Sequence, residues 1–410
     1  MNLPADFVAE TRRIMGDERY NRFVGAFDEE APTSIRVNPR IVGDGCFDGE
    51  KQVPWCSEGY YLNDRPQFTF DPLLHAGCYY VQEASSMFVT HVLRNCQLSI
   101  VNYQLALDMC AAPGGKSTAL RSVLPDDCVL ISNEPMGNRA QILLENVTKW
   151  GGPNHIVTNN YPRDFRKAKL KFDLILCDVP CSGEGMFRKD PNAISEWSAQ
   201  NVEKCWQLQR EIVADAWECL NPGGLLIYST CTYNTKENEE NIRWILDTYD
   251  AQVLDIPVDP SWNITGSLLE GFNEPVYRFI PGITRGEGLF VCALRKNTRK
   301  EEGERSKEIS SADIIKNKNL KVLDPGILLP PSSLLPPKVD VDYATALKYL
   351  RGEALVLPAD TPRGIVTITY QGQPLGPAKN IGNRANNLYP KAWRIKSTHL
   401  PSEAPNILMF

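Results

Sequence analysis

No stretch of this 410-residue chain is apolar and long enough to cross a bilayer as a helix. Its first residues, Met1-Asn-Leu-Pro-Ala-Asp6, lack the charged and apolar segments of a secretory leader, so the expectation is a cytoplasmic protein with no membrane partner. Histidine is scarce: His75, His91, His155 and His399 are the only four, and they are scattered. The twelve cysteines include no Cys-x-x-Cys pair. Zinc-ligand spacing is therefore missing and no metal is expected, while so many cysteines without a leader argue for reduced thiols. Excess positive charge is also lacking, since the net charge is −6. Acidic residues, however, are absent from Ile365 to Ser402, where Lys379, Arg384, Lys391, Arg394 and Lys396 gather. A second basic run is Arg163-Asp-Phe-Arg-Lys-Ala-Lys-Leu-Lys171. Local basic faces on an acidic body are compatible with phosphate contact or with plain solvation.

What is present is regular alternation. An N-terminal segment reads as helix from Ala5 to Phe27, then irregular through Ser34-Ile-Arg-Val-Asn-Pro39, then helix from Gln82 to Leu93. From Leu105, apolar runs of strand length alternate with helical patterns. Strands are predicted at 105–109, 128–133, 155–158, 172–178, 224–229, 251–256 and 289–294. That pattern is the signature of a doubly wound, mostly parallel α/β sheet. A polar run from Arg295 to Lys321 reads as a linker, followed by Pro-rich stretches at 328–331 and 334–338. The predicted helix 343–350, strand 365–370 and Gly-rich turn 371–376 then begin a small module.

Three places mark one edge of that sheet. Ala112-Pro-Gly-Gly-Lys116 follows a strand and opens a helix, where glycine allows a ligand to approach the backbone and free N–H groups point outward. The turn has neither phosphate P-loop nor Gly-x-Gly-x-x-Gly spacing. Glu134, at the end of the next strand, can hold a ribose diol or merely cap a helix. Turn and acid together favour an adenosyl cofactor, S-adenosyl-L-methionine above others, because no second phosphate-binding element is present.

Cys181, in Asp178-Val-Pro-Cys-Ser-Gly-Glu-Gly185, and Cys231, in Tyr228-Ser-Thr-Cys-Thr-Tyr233, each lie just beyond a strand. A lone strand-end cysteine is most often a small core residue, and Cys177, Cys205 and Cys219 fit that description. Cys181 and Cys231 sit in turns instead, with Asp178 beside them. Such a set suits cytosine C5, which becomes nucleophilic only after a thiolate adds to C6. A carboxyl group near N3 would stabilise the adduct, and a second base would remove the C5 proton.

These residues resemble the Sun-type (Nol/Nop/Sun) RNA cytosine-C5 methyltransferases, most closely bacterial enzymes of small-subunit ribosomal RNA. The resemblance runs through Ser34–Pro39, Gln82–Met87, Asp108–Ser117, Asp178–Pro191 and Ser229–Asn241, in the family's order. It implies a Rossmann-like class I methyltransferase with a mostly parallel seven-stranded sheet. Residues 1–100 would form a small α+β RNA-binding region, 101–296 the catalytic domain, 297–340 a linker and 341–410 a β-rich PUA-like RNA-binding domain. It further implies Cys231 as nucleophile, Cys181 as the thiol that releases product, and Asp178 facing both base and cofactor. Cys110, Ala111, Ala112, Pro113, Gly114, Gly115, Lys116, Glu134 and Arg139 would line the S-adenosyl-L-methionine pocket. Where the family usually has a third-strand Asp, this chain has Tyr161, with Asn160 and Asp164 as alternatives. The implied partner is 16S ribosomal RNA or the small ribosomal subunit, bound by a monomer. Transfer RNA is the alternative target, and a catalytically idle assembly clamp the alternative function. An amino-directed methyltransferase would carry Asp/Asn-Pro-Pro-Tyr, whereas Cys181 follows Pro180 here.

Overall fold

The structure, a computed structural model, describes residues 3–43, 51–96, 102–298, 309–324, 336–397 and 399–408. The Pro-rich stretch 328–331, residues 334–335 of the next one and residues 299–308 of the polar run lie outside the described residues.

The first expected helix is two, α1 (Ala5–Met15) and α2 (Asp17–Gly25). Gly16 separates them with φ +73°, in the left-handed region, and its amide closes α1 on Arg12 O at 2.9 Å. Next come β1 (Thr33–Val37), β2 (Gly59–Leu62), α3 (Pro72–His75), β3 (Tyr79–Val81) and α4 (Phe88–Asn95), with the strands in the antiparallel order β2-β1-β3. Gln82 continues the sheet instead of starting a helix, donating its amide to Ser34 O. Helical turns begin only at Ser85, because the Glu83 carboxylate accepts the amides of Ser85 and Ser86 at 2.9 and 3.0 Å. The expected irregular segment is thus a buried strand. Its Arg36 reaches Gln82 Oε1 at 2.7 Å and Thr118 Oγ1 at 2.6 Å, and covers the Trp150 ring. Asn38 donates to Gly77 O and Trp150 O. These two side chains fasten the N-terminal sheet to the catalytic domain.

The catalytic domain comprises β4 (Leu105–Asp108), α5 (Gly115–Val123), β5 (Val129–Asn133), α6 (Gly137–Trp150), β6 (His155–Thr158), α7 (Pro162–Lys167) and β7 (Phe172–Asp178). It continues through α8 (Pro191–Glu196), α9 (Ala199–Cys219), β8 (Leu220–Thr230), α10 (Glu239–Thr248), β9 (Ala251–Val253), β10 (Tyr277–Phe279) and β11 (Leu289–Lys296). The strand order β10-β11-β8-β7-β4-β5-β6 gives seven strands, with β8, β7, β4, β5 and β6 mutually parallel. Runs such as Phe172–Asp178 are apolar almost throughout because both faces of the sheet are covered by helices. The sheet has two additions. β9 pairs with β11, and β12 (Val322–Leu323), preceded by α11 (Ser311–Ile315), pairs with β6. Part of the expected linker therefore covers what would be an open edge, a common way of protecting one.

The C-terminal module holds β13 (Lys338–Asp340), α12 (Tyr343–Leu350), β14 (Gly364–Tyr370), β15 (Gln373–Asn380) and β16 (Ala385–Asn387) in the sheet order β13-β14-β15-β16. Its core is continuous with that of the N-terminal sheet: Ile35, Leu73 and Tyr79 pack in one cluster with Val366, Ile368 and Tyr389. His75 is the polar joint. Its Nε2 meets Thr69 O at 2.9 Å, while Nδ1 accepts from Lys149 Nζ at 3.1 Å and lies 3.4 Å from Tyr389 Oη. Burial and the Lys149 charge push its pKa down to about 3, which keeps the ring neutral.

Candidate active site

The carboxyl ends of β4, β5, β6, β7 and β8 form one edge, and the singled-out residues line it. Asp178 ends β7 and Ser229 is paired with it on β8, so the turns carrying Cys181 and Cys231 leave the sheet side by side. The two Sγ atoms are 3.1 Å apart. The neighbouring Cys231 thiol, together with burial, pushes the Cys181 thiol well above its ordinary range while both thiols are free. Asp178 stands between the thiols and the glycine turn. Its Oδ1 accepts from Ser229 Oγ at 2.7 Å and its Oδ2 from Lys116 Nζ at 2.8 Å. Burial works against the Lys116 charge, but Asp178 outweighs it and raises the ammonium pKa.

Cys110 to Lys116 run from β4 into α5. Gly114 has φ +117°, a conformation that favours glycine, and α5 starts at the next residue. The turn is fastened by Ala111 N to Asn133 O at 2.8 Å and by Asn146 Nδ2 to Pro113 O at 2.8 Å. Cys110 is half-buried against the core, and burial raises its thiol well above the ordinary range. Glu134 is 2% exposed and accepts from the Met136 amide at 2.9 Å. Arg139 lies 3.4 Å from its other oxygen and donates to Ala112 O at 3.0 Å, tying acid to turn.

At the end of β6 the three candidates differ in what holds them. Asn160 is committed elsewhere: its Oδ1 accepts Lys321 N at 2.9 Å and its Nδ2 donates to Lys321 O at 3.2 Å, which anchors β12. Asp164 caps its own helix, accepting from Tyr161 N and Lys167 Nζ. Tyr161 is 55% exposed, and Met136, just before α6, is equally open at 54%.

Cys177 and Cys219 are core residues, whereas Cys205 is only half-buried on α9. The basic run after Arg163 meets α9 at two places. Arg166 pairs with Asp215 and Glu218 at 2.9 and 3.0 Å, and Lys171 donates to Glu218 O. In the C-terminal stretch Lys379, Arg384, Lys391 and Lys396 are exposed, while Arg394 donates to Tyr389 O. Sequence reasoning gave no role to Ser229, Glu184 or Glu237, although all three lie inside the motifs it used. Acids three residues after Cys181 and six after Cys231 were the signal available.

Among the described residues no helix is long and apolar enough to cross a membrane, and no group of three His, Cys, Asp or Glu side chains is placed to hold a metal ion.

Three family models cover successive parts of the chain. The N-terminal domain of 16S rRNA methyltransferase RsmF matches residues 3–84, 16S rRNA methyltransferase RsmB/F matches 95–295, and the methyltransferase RsmF PUA domain matches 336–395. Ribosomal RNA small subunit methyltransferase F of Serratia proteamaculans is 30% identical over 95% of this chain and 96% of its own length. The chain belongs to this methyltransferase F family. The Pectobacterium carotovorum member is 35% identical over 72% of this chain, a match spanning 63% of that protein. Among solved structures, a methyltransferase homologue from Pyrococcus horikoshii aligns with TM-score 0.58 and 27% identity over 72% of this chain and all of its own. NSun6 from the same organism, solved with SFG, aligns at 0.59 and 21% over 72% of this chain and 99% of its own. The family's α/β methyltransferase fold with a C-terminal PUA domain agrees with the sheet order and module described above.

Proposed function

We propose that this methyltransferase F family member transfers a methyl group from S-adenosyl-L-methionine to C5 of a cytosine in 16S ribosomal RNA. The observation that carries the reading is the thiol pair, 3.1 Å apart, on the same sheet edge as Asp178, Lys116 and the Gly114 turn. Residues 110–116, Glu134, Arg139 and Tyr161 would hold the cofactor, whose sulfonium supplies the methyl group. The buried Glu134 carboxylate and left-handed Gly114 suit a ribose and a close-lying ligand.

In this reading Cys231, its thiol proton passed to solvent, bonds through Sγ to C6, and the displaced electron pair makes C5 nucleophilic. Asp178 hydrogen-bonds the ring near N3, and Lys116, held on that carboxylate, offsets the charge that builds there. Once Cys231 is bonded to C6 its thiol no longer holds the Cys181 thiol up, so Cys181 can pass its proton to solvent and, after C5 is methylated, take the proton from C5. The electron pair returns to the ring and expels Cys231. One methyl group enters and one proton leaves. RNA would be held by the N-terminal region (1–100) and the C-terminal domain (341–410) flanking the catalytic part (101–296), with 297–340 connecting them, in a cytoplasmic monomer.

Mapping 5-methylcytosine in 16S RNA from cells with and without the protein tests this. A single cytosine that loses its methyl group is expected; an unchanged 16S map with a lost transfer RNA methyl group would move the substrate.

A further inference from the structure

Two buried carboxylates beside the thiols have no place in the mechanism above. Glu184 follows Cys181 in its turn but turns toward the other thiol's loop. Its Oε2 accepts the amides of Tyr233 and Asn234 at 2.7 and 3.0 Å and the Thr232 hydroxyl, all just past Cys231. Its Oε1 accepts from Asn234 Nδ2 at 2.9 Å and Trp197 Nε1 at 3.1 Å. Glu237 belongs to the Cys231 side and reaches the opposite way. Its Oε2 accepts the Ser182 amide, next to Cys181, at 3.0 Å and Gln209 Nε2 at 2.6 Å, and its Oε1 accepts Asn234 Nδ2 at 2.8 Å. The loops come so close that a Cβ on Gly185 would stand 2.2 Å from Cys231 O.

We propose that Glu184 and Glu237 are positioning residues, a crossed pair in which each carboxylate grips the backbone beside the other loop's thiol and so fixes the separation of Cys181 and Cys231. The inference deepens the proposed function, whose roles for the thiols give it meaning, but the geometry stands apart from the substrate. Every bond to the Glu237 carboxylate comes from an N–H donor, so only an acceptor serves there; an amide would turn an NH2 group against one of them. The cost of keeping an acid there is visible: burial and the nearby Glu184 push Glu237 up to about 7.

The test needs neither RNA nor cofactor. The full chain is treated with dibromobimane, which fluoresces strongly only when both arms have alkylated thiols, and Cys181→Ser sets the background. Glu184→Gln and Glu237→Gln are expected to slow bridging roughly tenfold or more, as misplacement by about an ångström does to proximity-driven reactions. Single alkylation of Cys231 by monobromobimane should stay within about twofold in the same variants, a comparison that a general loss of stability would not preserve. Bridging at the wild-type rate in both variants overturns the proposal. Should they fail to fold, Thr232→Val decides, because it removes one donor to Glu184 at nearly constant volume. A several-fold slower bridging supports the grip, and an unchanged rate refutes it. Failure of 16S methylation with bridging intact would count against the substrate assignment alone.

Discussion

The two halves of the active-site edge are built differently. On the half around the Gly114 turn, proposed as the cofactor half, Glu134 and Arg139 approach only to 3.4 Å, and Met136 and Tyr161 stand more than half exposed. On the thiol half nearly every polar atom is taken: Asp178 by Lys116 and Ser229, and Glu184 and Glu237 by backbone amides and neighbouring side chains. Aromatic contacts reinforce it, with Phe7 of α1 against Phe187 and Phe23 of α2 against Tyr233 at ring distances of 5.0 and 4.8 Å. A ligand can complete the first half, whereas the second is organised before anything binds. That fits chemistry in which the base must meet two thiols in fixed positions.

The contrast can be broken most decisively on the thiol half. Cys231→Ala is expected to lower methyl transfer more than 100-fold, about 2.7 kcal/mol or more, with cofactor affinity unchanged in calorimetry. Residual transfer above about 1% would remove Cys231 as nucleophile. Cys181→Ala should instead accumulate a covalent protein–RNA adduct that survives denaturing electrophoresis and vanishes when Cys231→Ala is added. Normal turnover without an adduct would give the release step to another group. On the cofactor half, Glu134→Ala should cost roughly 1.5–3 kcal/mol of S-adenosyl-L-methionine binding, measured by calorimetry, with RNA affinity unaffected. Tyr161→Ala should cost less, about 0.5–1.5 kcal/mol, the worth of one stacking contact. No loss would remove Tyr161 from the cofactor pocket.

Asp108, beneath both halves, gives a pH-dependent test. Burial pushes it up to about 7 and Asp178 on β7 adds to this, while Ser117 and Lys116 on α5 pull the other way. Ser117 Oγ donates to one oxygen at 2.6 Å and the other has no partner. A carboxyl raised in the folded state binds more protons there than in the unfolded chain between about pH 4 and 7, so its contribution to stability declines as pH rises through that window. Asp108→Asn has no such loss. Relative to wild type it should gain about 2 kcal/mol between pH 5 and pH 8 in urea unfolding. Parallel pH curves for the two proteins would show that Asp108 does not titrate in this range.

Strands and helices of the catalytic sheet were legible because burial on both faces leaves long apolar runs, as in Phe172–Asp178, and because Gly and Ser mark the turns. What escaped depended on contacts between distant segments. Gln82 pairs with β1 across the N-terminal sheet instead of turning into helix, β12 exists only because β6 offers an edge, and three-residue β10 is too short to carry a period. At the site, residue type and position relative to strand ends singled out Cys181, Cys231, Asp178 and Glu134. The partners of Glu184 and Glu237 could not be read, since a carboxylate's choice of amide is decided by how two loops fold over each other. Likewise Asn160 looked available until β12 occupied it.

The shared core beneath the N-terminal sheet and the C-terminal module, joined at His75 and Tyr389, makes the molecule a caliper. Lys379, Arg384 and Lys391 belong to a module whose core, among the described residues, is shared with the N-terminal sheet that Arg36 fastens to the catalytic domain. Under the proposed function, RNA touching both jaws would be gauged by its folded width as well as by the letters around the target. A short single strand carrying the same cytosine would reach only one jaw.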